Sequence, residues 1–205
     1  VNLVKEQLPE VSADNILAEP IHRNTAPSMA WANHRISMMN PDACVITTPS
    51  DQAIFNEEAF RENVFEGLAF VAENNHFLTM GVKPTRPEPG YGYIQMGDVC
   101  SDNIYHVQSF TEKPERDFAK IFMESGEFYW NTGLFLSNVS YLRECFCKIL
   151  PPVLRDYDKK YPEFSVETEN AYMKESFSSY PNISVDFGIL EKPSNVCVMR
   201  CDFGW

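Results

Sequence analysis

Four short segments of the chain carry residue types that can do chemistry. Glu112-Lys113-Pro114 closes the run Phe110-Thr111 with an acid and a base side by side. Neighbours on a strand face opposite ways, but at a frayed strand end both can turn to one ligand. The carboxylate then accepts protons from hydroxyls, and the ammonium meets a phosphate as a point charge. Pro114 is expected to hold Lys113 extended. Trp130-Asn131-Thr132-Gly133 sets a bulky ring, an amide and a glycine at the mouth of the apolar run Leu134-Phe135-Leu136. Asn131 can both donate and accept, Gly133 leaves room for a ligand, and Trp130 reads as core wall. Pro49-Ser50-Asp51 follows directly on an apolar run, which would put Asp51 at the carboxyl edge of a sheet, where open α/β proteins bind ligands. A carboxylate there can hold Mg²⁺, which takes its other oxygens from phosphates and water. Gly90-Tyr91-Gly92-Tyr93 lets a backbone come close to a flat or polyhydroxylated ligand. Each segment also has a plain structural reading: a turn for Asp51, a hairpin entry for Gly90 and Gly92, a solvated pair for Glu112 and Lys113.

The bulk properties narrow the ligand. With 29 acidic against 17 basic residues the net charge is -12, which repels nucleic acid and anionic membrane surfaces, so any phosphate must be met by a few well-placed cations. No apolar run approaches the ~20 residues that span a bilayer, and the start Val1-Asn2-Leu3-Val4-Lys5 is not built like a signal peptide. These features point to a cytoplasmic protein without nucleic-acid or membrane partners. The six cysteines read as reduced thiols. Cys145 and Cys147 point to opposite faces of a helical pattern, and Cys197 and Cys201 would stand about 13 Å apart along a strand, too far for one tetrahedral ion. His22, His34, His76 and His106 show no ligand spacing. The pattern therefore argues against a zinc enzyme.

The elements that must position these residues are legible in outline. At 205 residues and 44% hydrophobic content, one domain with a substantial core is expected. Up to about residue 82, helix and strand alternate, as in a layered α/β domain with a largely parallel sheet. Ala26, Met29, Ala30 and Asn33 share a helix face, and Ala43 to Thr48 reads as a buried strand stopped by Pro49. Asn56 caps a helix with Phe60, Val64, Leu68 and Val71 in a stripe, and Phe77 to Val82 is a second buried strand. Pro84, Pro87 and Pro89 force an extended loop. Tyr91 to Gln95 and Ile104 to Thr111 follow as strands, and Glu115 to Ser125 as a helix with Phe118, Ile121 and Phe122 inward and Gly126 past its end. A further helix carries Leu142, Cys145, Phe146 and Ile149 and is stopped by Pro151-Pro152. Residues 153 to 182 are helical in tendency, and Val196 to Met199 is a last strand. No Gly-x-Gly-x-x-Gly stands between a strand and a helix, which disfavours a dinucleotide-binding dehydrogenase.

Taken in order, Glu19 to Pro27, Pro49-Ser50-Asp51, Gly90 to Ile94, Phe110 to Pro114, Trp130 to Phe135 and Asp202-Phe203-Gly204-Trp205 resemble the mannose-1-phosphate guanylyltransferases. The resemblance implies a Rossmann-like, glycosyltransferase-A-like nucleotidyltransferase domain with a mixed sheet flanked by helices, joining GTP to mannose 1-phosphate to give GDP-mannose and pyrophosphate. By position it implies Arg23, Asn24 and Thr25 on the nucleotide side and Asp51 on Mg²⁺, with Asp202 a weaker second metal carboxylate. Gly90, Gly92, Glu112, Asn131 and Gly133 would surround the sugar, Lys113 would meet its phosphate, and Asp186 and Lys192 would be outer members. The family's glycine-rich phosphate loop is expected before Val1 and its second metal carboxylate beyond Trp205. Residues 1–205 are thus expected to be a single nucleotidyltransferase domain, incomplete at both ends and inactive alone. Gln52 stands where the family has histidine. Two other readings stay open: a relative acting on another base or sugar 1-phosphate, and a non-catalytic regulatory subunit that keeps the sugar pocket. A homo-oligomer is compatible with the sequence but not specified by it.

Overall fold

The computed structural model describes residues 1–160, 165–191 and 195–205. The chain runs through α1 (Asn2–Gln7), α2 (Thr25–Met39), β1 (Cys44–Thr47), α3 (Glu57–Glu73), β2 (Phe77–Val82), β3 (Gly92–Ser101), β4 (Ile104–Thr111) and α4 (Arg116–Ser125). It continues with β5 (Phe128–Asn138), α5 (Val139–Ile149), α6 (Pro151–Lys160), α7 (Val166–Ser176), a π-helical turn (Asp186–Leu190) and β6 (Val196–Cys201). The six strands form one mixed sheet in the order β1-β5-β2-β6-β4-β3, with helices against its faces.

The sheet is not largely parallel, as the helix and strand alternation suggests. The β2–β6 ladder is parallel, whereas β5 runs antiparallel to β1, β2 and β3. The cause is insertion: β1 and β2 point the same way across α3, but β5 enters between them and reverses the pairing.

Local sequence explains most element ends. Asn56 Oδ1 accepts the Ala59 N–H at 3.1 Å, and Glu57 and Glu58 complement the helix dipole in the first turn of α3. A Cβ on Gly67 would stand 3.0 Å from Leu136 Cδ2, so the absence of a side chain lets α3 approach the sheet closely. Gly126 closes α4 with φ 75, as a C-terminal glycine should. α4 is rotated from the expected orientation: Phe118 and Ile121 are exposed, while Ala119 is buried and Phe122 stacks on Phe128 at 4.1 Å. Pro151 and Pro152 both end α5 and open α6, where a first-turn proline costs no helical hydrogen bond.

Apolar residues pack on both faces of the sheet. One cluster joins Phe77, Phe135 and Val198 to Ala26, Ala30 and Phe146 of α2 and α5. The other joins Leu78, Met80 and Leu136 to Val71 and Phe203. Among α2, α5, α6 and α7 a polar network is buried: Trp31 Nε1 donates to Glu169 Oε1 at 2.7 Å, the Tyr157 hydroxyl donates to the same oxygen, and His34 lies 3.1 Å from Asp158. All six cysteines are free thiols. Among the described residues, no helix is long and apolar enough to cross a membrane.

Candidate functional site

The sheet opens where β5 changes partner. The C-terminal half of β5 pairs with β1, up to Thr47 opposite Phe135, and its N-terminal half pairs with β3, from Gly92 opposite Asn131. Between them lie Thr132, Gly133 and Leu134. Gly133 has φ 74, a left-handed conformation that suits glycine, and the β2–β5 ladder shifts register at this level, between Thr79 and Gly81. The result is a gap between the end of β1 and the start of β3. A cavity of about 500 Å³ fills it, a size suited to a small ligand.

Seven of the residues singled out in the sequence line this cavity: Asp51, Gly90, Gly92, Glu112, Asn131, Gly133 and Asp186. Trp130-Gly133 lies inside β5 rather than at its mouth, because the strand starts at Phe128 and pairs with β3. Trp130 is buried core, as expected, and packs edge-on against Tyr91 at 5.2 Å. Gly92 is required sterically: a Cβ there would stand 2.8 Å from Glu112 Oε2 and 2.9 Å from the Phe110 ring. The missing side chain is what lets the Glu112 carboxylate lie over the start of β3.

Lys113 departs from the expected extended backbone. Its φ is 47, and its N–H donates to Tyr91 O at 3.2 Å, so the chain turns sharply as it leaves β4. Lys113 Nζ thereby reaches Glu112 Oε1 at 3.2 Å, and the acid and base come together at the strand end. Both are exposed, so this ion pair adds little stability and is cheap to exchange for a ligand.

The floor of the cavity is a hydrogen-bonded relay. The buried Thr79 hydroxyl donates to Asn131 Oδ1 at 2.9 Å, and Asn131 Nδ2 donates to Asp186 Oδ1, also at 2.9 Å. The Asn131 oxygen also accepts the Gly133 N–H at 3.3 Å. The amide orientation follows from these partners, and one Asn131 N–H remains for a ligand. Burial, followed by the nearby Glu112 carboxylate, raises the Asp186 pKa above its ordinary 3.8, while the Asn131 bond and Lys113 pull the other way.

Other predicted residues lie elsewhere. Arg23, Asn24 and Thr25 are not brought to the cavity wall; they tie the start of α2 to the segment before Asp186. The Arg23 guanidinium donates to Ser178 O, Asn24 Nδ2 donates to Asn182 Oδ1 at 2.9 Å, and Thr25 Oγ1 accepts the Val185 N–H at 2.9 Å. Asp202 lines a neighbouring cavity of about 690 Å³ with Lys83 and Arg200, apart from Asp51. Lys192 lies outside the described residues. Gln52 Nε2 donates to Thr132 O, pinning the Asp51 loop to β5.

Sequence reasoning gave no site role to four contributors. Trp205 borders both cavities and packs on Tyr91 at 4.9 Å, Pro49 and Phe55 form wall, and Thr79 orients Asn131. Thr79 carries a readable signal, a lone hydroxyl in the apolar run Phe77-Leu78-Thr79-Met80, since a buried polar group needs a partner. Phe55 carries none, and Trp205 enters only through the terminal run Asp202-Phe203-Gly204-Trp205 of the resemblance.

Residues 2–162 of this helix-flanked mixed sheet match the family model described as nucleotidyl transferase. The chain belongs to that family. Over 99% of its length it is similar to a mannose-1-phosphate guanylyltransferase of Sinorhizobium fredii, at 34% identity, and to the Salmonella typhimurium mannose-1-phosphate guanylyltransferase RfbM, also at 34%. A solved Thermus thermophilus structure, described as a mannose-1-phosphate geranyltransferase, superposes on the whole chain with a TM-score of 0.85 at 26% identity, over 57% of that protein. The chain spans 40% and 43% of the two curated relatives.

Proposed function

We propose that the full-length protein transfers a guanylyl group from GTP to mannose 1-phosphate, forming GDP-mannose and pyrophosphate in the cytoplasm. The observation that carries this reading is the cavity lined by Gly92, Glu112 and Asn131, with Lys113 paired to Glu112, in a chain whose curated relatives bear that activity in their names. Glu112 and the remaining Asn131 N–H bind sugar hydroxyls, while Gly90, Gly92 and Gly133 let the ring come against the backbone. Lys113 leaves Glu112 to neutralise the sugar phosphate. Arg23, Asn24 and Thr25 support this side indirectly, by holding the segment that leads into Asp186.

A phosphate oxygen of mannose 1-phosphate attacks the α-phosphorus of GTP, the bond from that phosphorus to the bridging oxygen breaks, and pyrophosphate leaves. No protein nucleophile takes part, and the rate comes from alignment and charge neutralisation. Asp51 is exposed at the cavity wall and shares it with Glu112 and Asp186, an oxygen-only donor set that suits a hard cation. Asp51 would hold Mg²⁺, which offsets the charge of the phosphates.

The test is a panel of nucleoside triphosphates and sugar 1-phosphates offered to the full-length protein. GTP with mannose 1-phosphate should be the best pair, with sequential kinetics, and a better pair or a trapped nucleotidyl-enzyme would overturn the proposal. Glu112→Gln and Lys113→Ala should each weaken mannose 1-phosphate binding; unchanged binding in both removes this cavity from the mechanism.

A further inference from the structure

Four side chains that share no motif converge at the other end of the β3–β4 hairpin. His76 precedes β2, Cys100 lies near the end of β3, and His106 on β4 stands opposite Cys197 on β6 in the ladder. One ligand atom from each lies within 4.8 Å of all the others, and the Cys197 sulfur is 3.7 Å from His106 Nδ1. We propose that His76, Cys100, His106 and Cys197 form a structural Zn²⁺ site that pins β2, β3, β4 and β6 together.

The donor set fits this ion. Two thiolates and two imidazoles in a tetrahedral arrangement select Zn²⁺ among common divalent metals. Zn–S and Zn–N bonds of about 2.3 and 2.0 Å place tetrahedral ligand atoms roughly 3.3–3.8 Å apart. The observed cluster therefore needs only a small contraction, of about 1 Å at its widest. His76 Nδ1 is buried with no hydrogen-bond partner, a cost that a ligated and reoriented ring removes.

The site is structural rather than catalytic. Along β3, Cys100 lies roughly 25 Å from Gly92, and the cavity at Gly92 shares none of its ligands. The proposal stands whether or not the protein is a guanylyltransferase. It also explains why a linear search for ligand spacing fails: the four ligands come from four separate segments and meet only through sheet pairing.

Full-length protein purified in reductant without chelator should carry one zinc per chain by inductively coupled plasma mass spectrometry. After stripping, it should bind one Co²⁺ with the d–d and thiolate charge-transfer bands of a tetrahedral site. Cys197 sits in the core and its replacement disturbs folding, so Cys100→Ser and the exposed His106→Ala carry the test. Each should weaken Co²⁺ binding by about 100-fold or more and remove the zinc, while mannose 1-phosphate binding is retained. Chelation should lower Tm by about 5 °C or more in the parent and not in the variants. Absence of a Co²⁺ spectrum in fully reduced protein overturns the site, as does a spectrum unchanged in both variants. A Cys100–Cys197 disulfide found by non-reducing peptide mapping, with no Co²⁺ uptake after reduction, overturns it equally.

Discussion

Replacing Thr79 by valine tests whether the cavity works through an oriented amide. Thr79 is fully buried and its hydroxyl donates to Asn131 Oδ1 at 2.9 Å, while the same amide donates to Asp186 at 2.9 Å. Valine has nearly the same shape, so no void opens; what is lost is a donor. Asn131 Oδ1 is left with the 3.3 Å bond from Gly133 alone. A part-buried acceptor deprived of its better partner costs about 1–2 kcal/mol. For a chain of this size that lowers Tm by roughly 3–6 °C. On the ligand side, a loosened amide no longer presents its free N–H at a fixed angle. A loss of about 1 kcal/mol there weakens mannose 1-phosphate binding roughly fivefold. Thermal unfolding and isothermal titration of the full-length protein read the two effects separately. Thr79→Ser keeps the hydroxyl and loses a methyl group, so it should lose stability yet bind nearly as the parent does. If the valine variant binds as tightly as the parent, or serine and valine bind alike, Asn131 is not held by Thr79 in the way the geometry implies.

Three further outcomes follow from other contacts. Gly92→Ala places a methyl group 2.8 Å from Glu112 Oε2 and 2.9 Å from the Phe110 ring, so the carboxylate must leave its position. Mannose 1-phosphate affinity should fall at least about tenfold, and an unchanged affinity would refute Glu112 as a contact. Asp186 has a folded pKa raised above 3.8, first by burial and then by Glu112, so its contribution to stability is full below 3.8 and is lost as pH rises through the folded value. Asp186→Asn should therefore gain stability near neutral pH and flatten the pH dependence just above 3.8, read by urea unfolding; equal or lower stability at neutral pH would contradict the burial cost. His34 runs the other way. Burial outweighs the attraction of Asp158 and lowers its pKa from 6.5 to about 4, so its stabilising contribution is present above 6.5 and is lost as pH falls towards about 4. The loss is of the order of 3 kcal/mol, and His34→Gln should remove that slope; an identical slope in the variant would assign the acid sensitivity elsewhere.

Residues whose roles depend on near neighbours in the chain were legible. The cap at Asn56, the stripe of α3, the buried strand Phe77–Val82 and the stop after Gly126 all follow from local pattern, and the structure keeps them. Cavity residues on the sheet edge were legible for the same reason: Asp51 follows a strand, and Gly92 and Glu112 open and close the β3–β4 hairpin. What local pattern did not supply was pairing over long range. The insertion of β5 between β1 and β2 turned an expected parallel sheet into a mostly antiparallel one. The Tyr91 carbonyl, which accepts the Lys113 N–H, overrode the extended preference that Pro114 imposes. The outward turn of Phe118 and Ile121 depends on how α4 docks through Ala119 and Phe122, which its own periodicity does not encode.

The same long-range pairing makes the cavity and joins the two chemistries of the sheet. Because β5 gives one half of an edge to β1 and the other half to β3, three residues around Gly133 have no strand opposite them on that side. A regular, fully paired strand would seal this position with backbone hydrogen bonds. Here the interruption exposes an amide, a carboxylate and a glycine at the floor of a cavity without unpairing the core strands β2 and β6. A sheet opened at one end gains from a constraint at the other. The His76, Cys100, His106 and Cys197 cluster holds β2, β3, β4 and β6 where the β3–β4 hairpin turns, away from the ligand. If that constraint is a bound ion, its removal should loosen the strand ends at the hairpin turn and appear as a lower Tm. The cavity, which shares none of the four ligands, should keep its affinity for mannose 1-phosphate whatever the metal content.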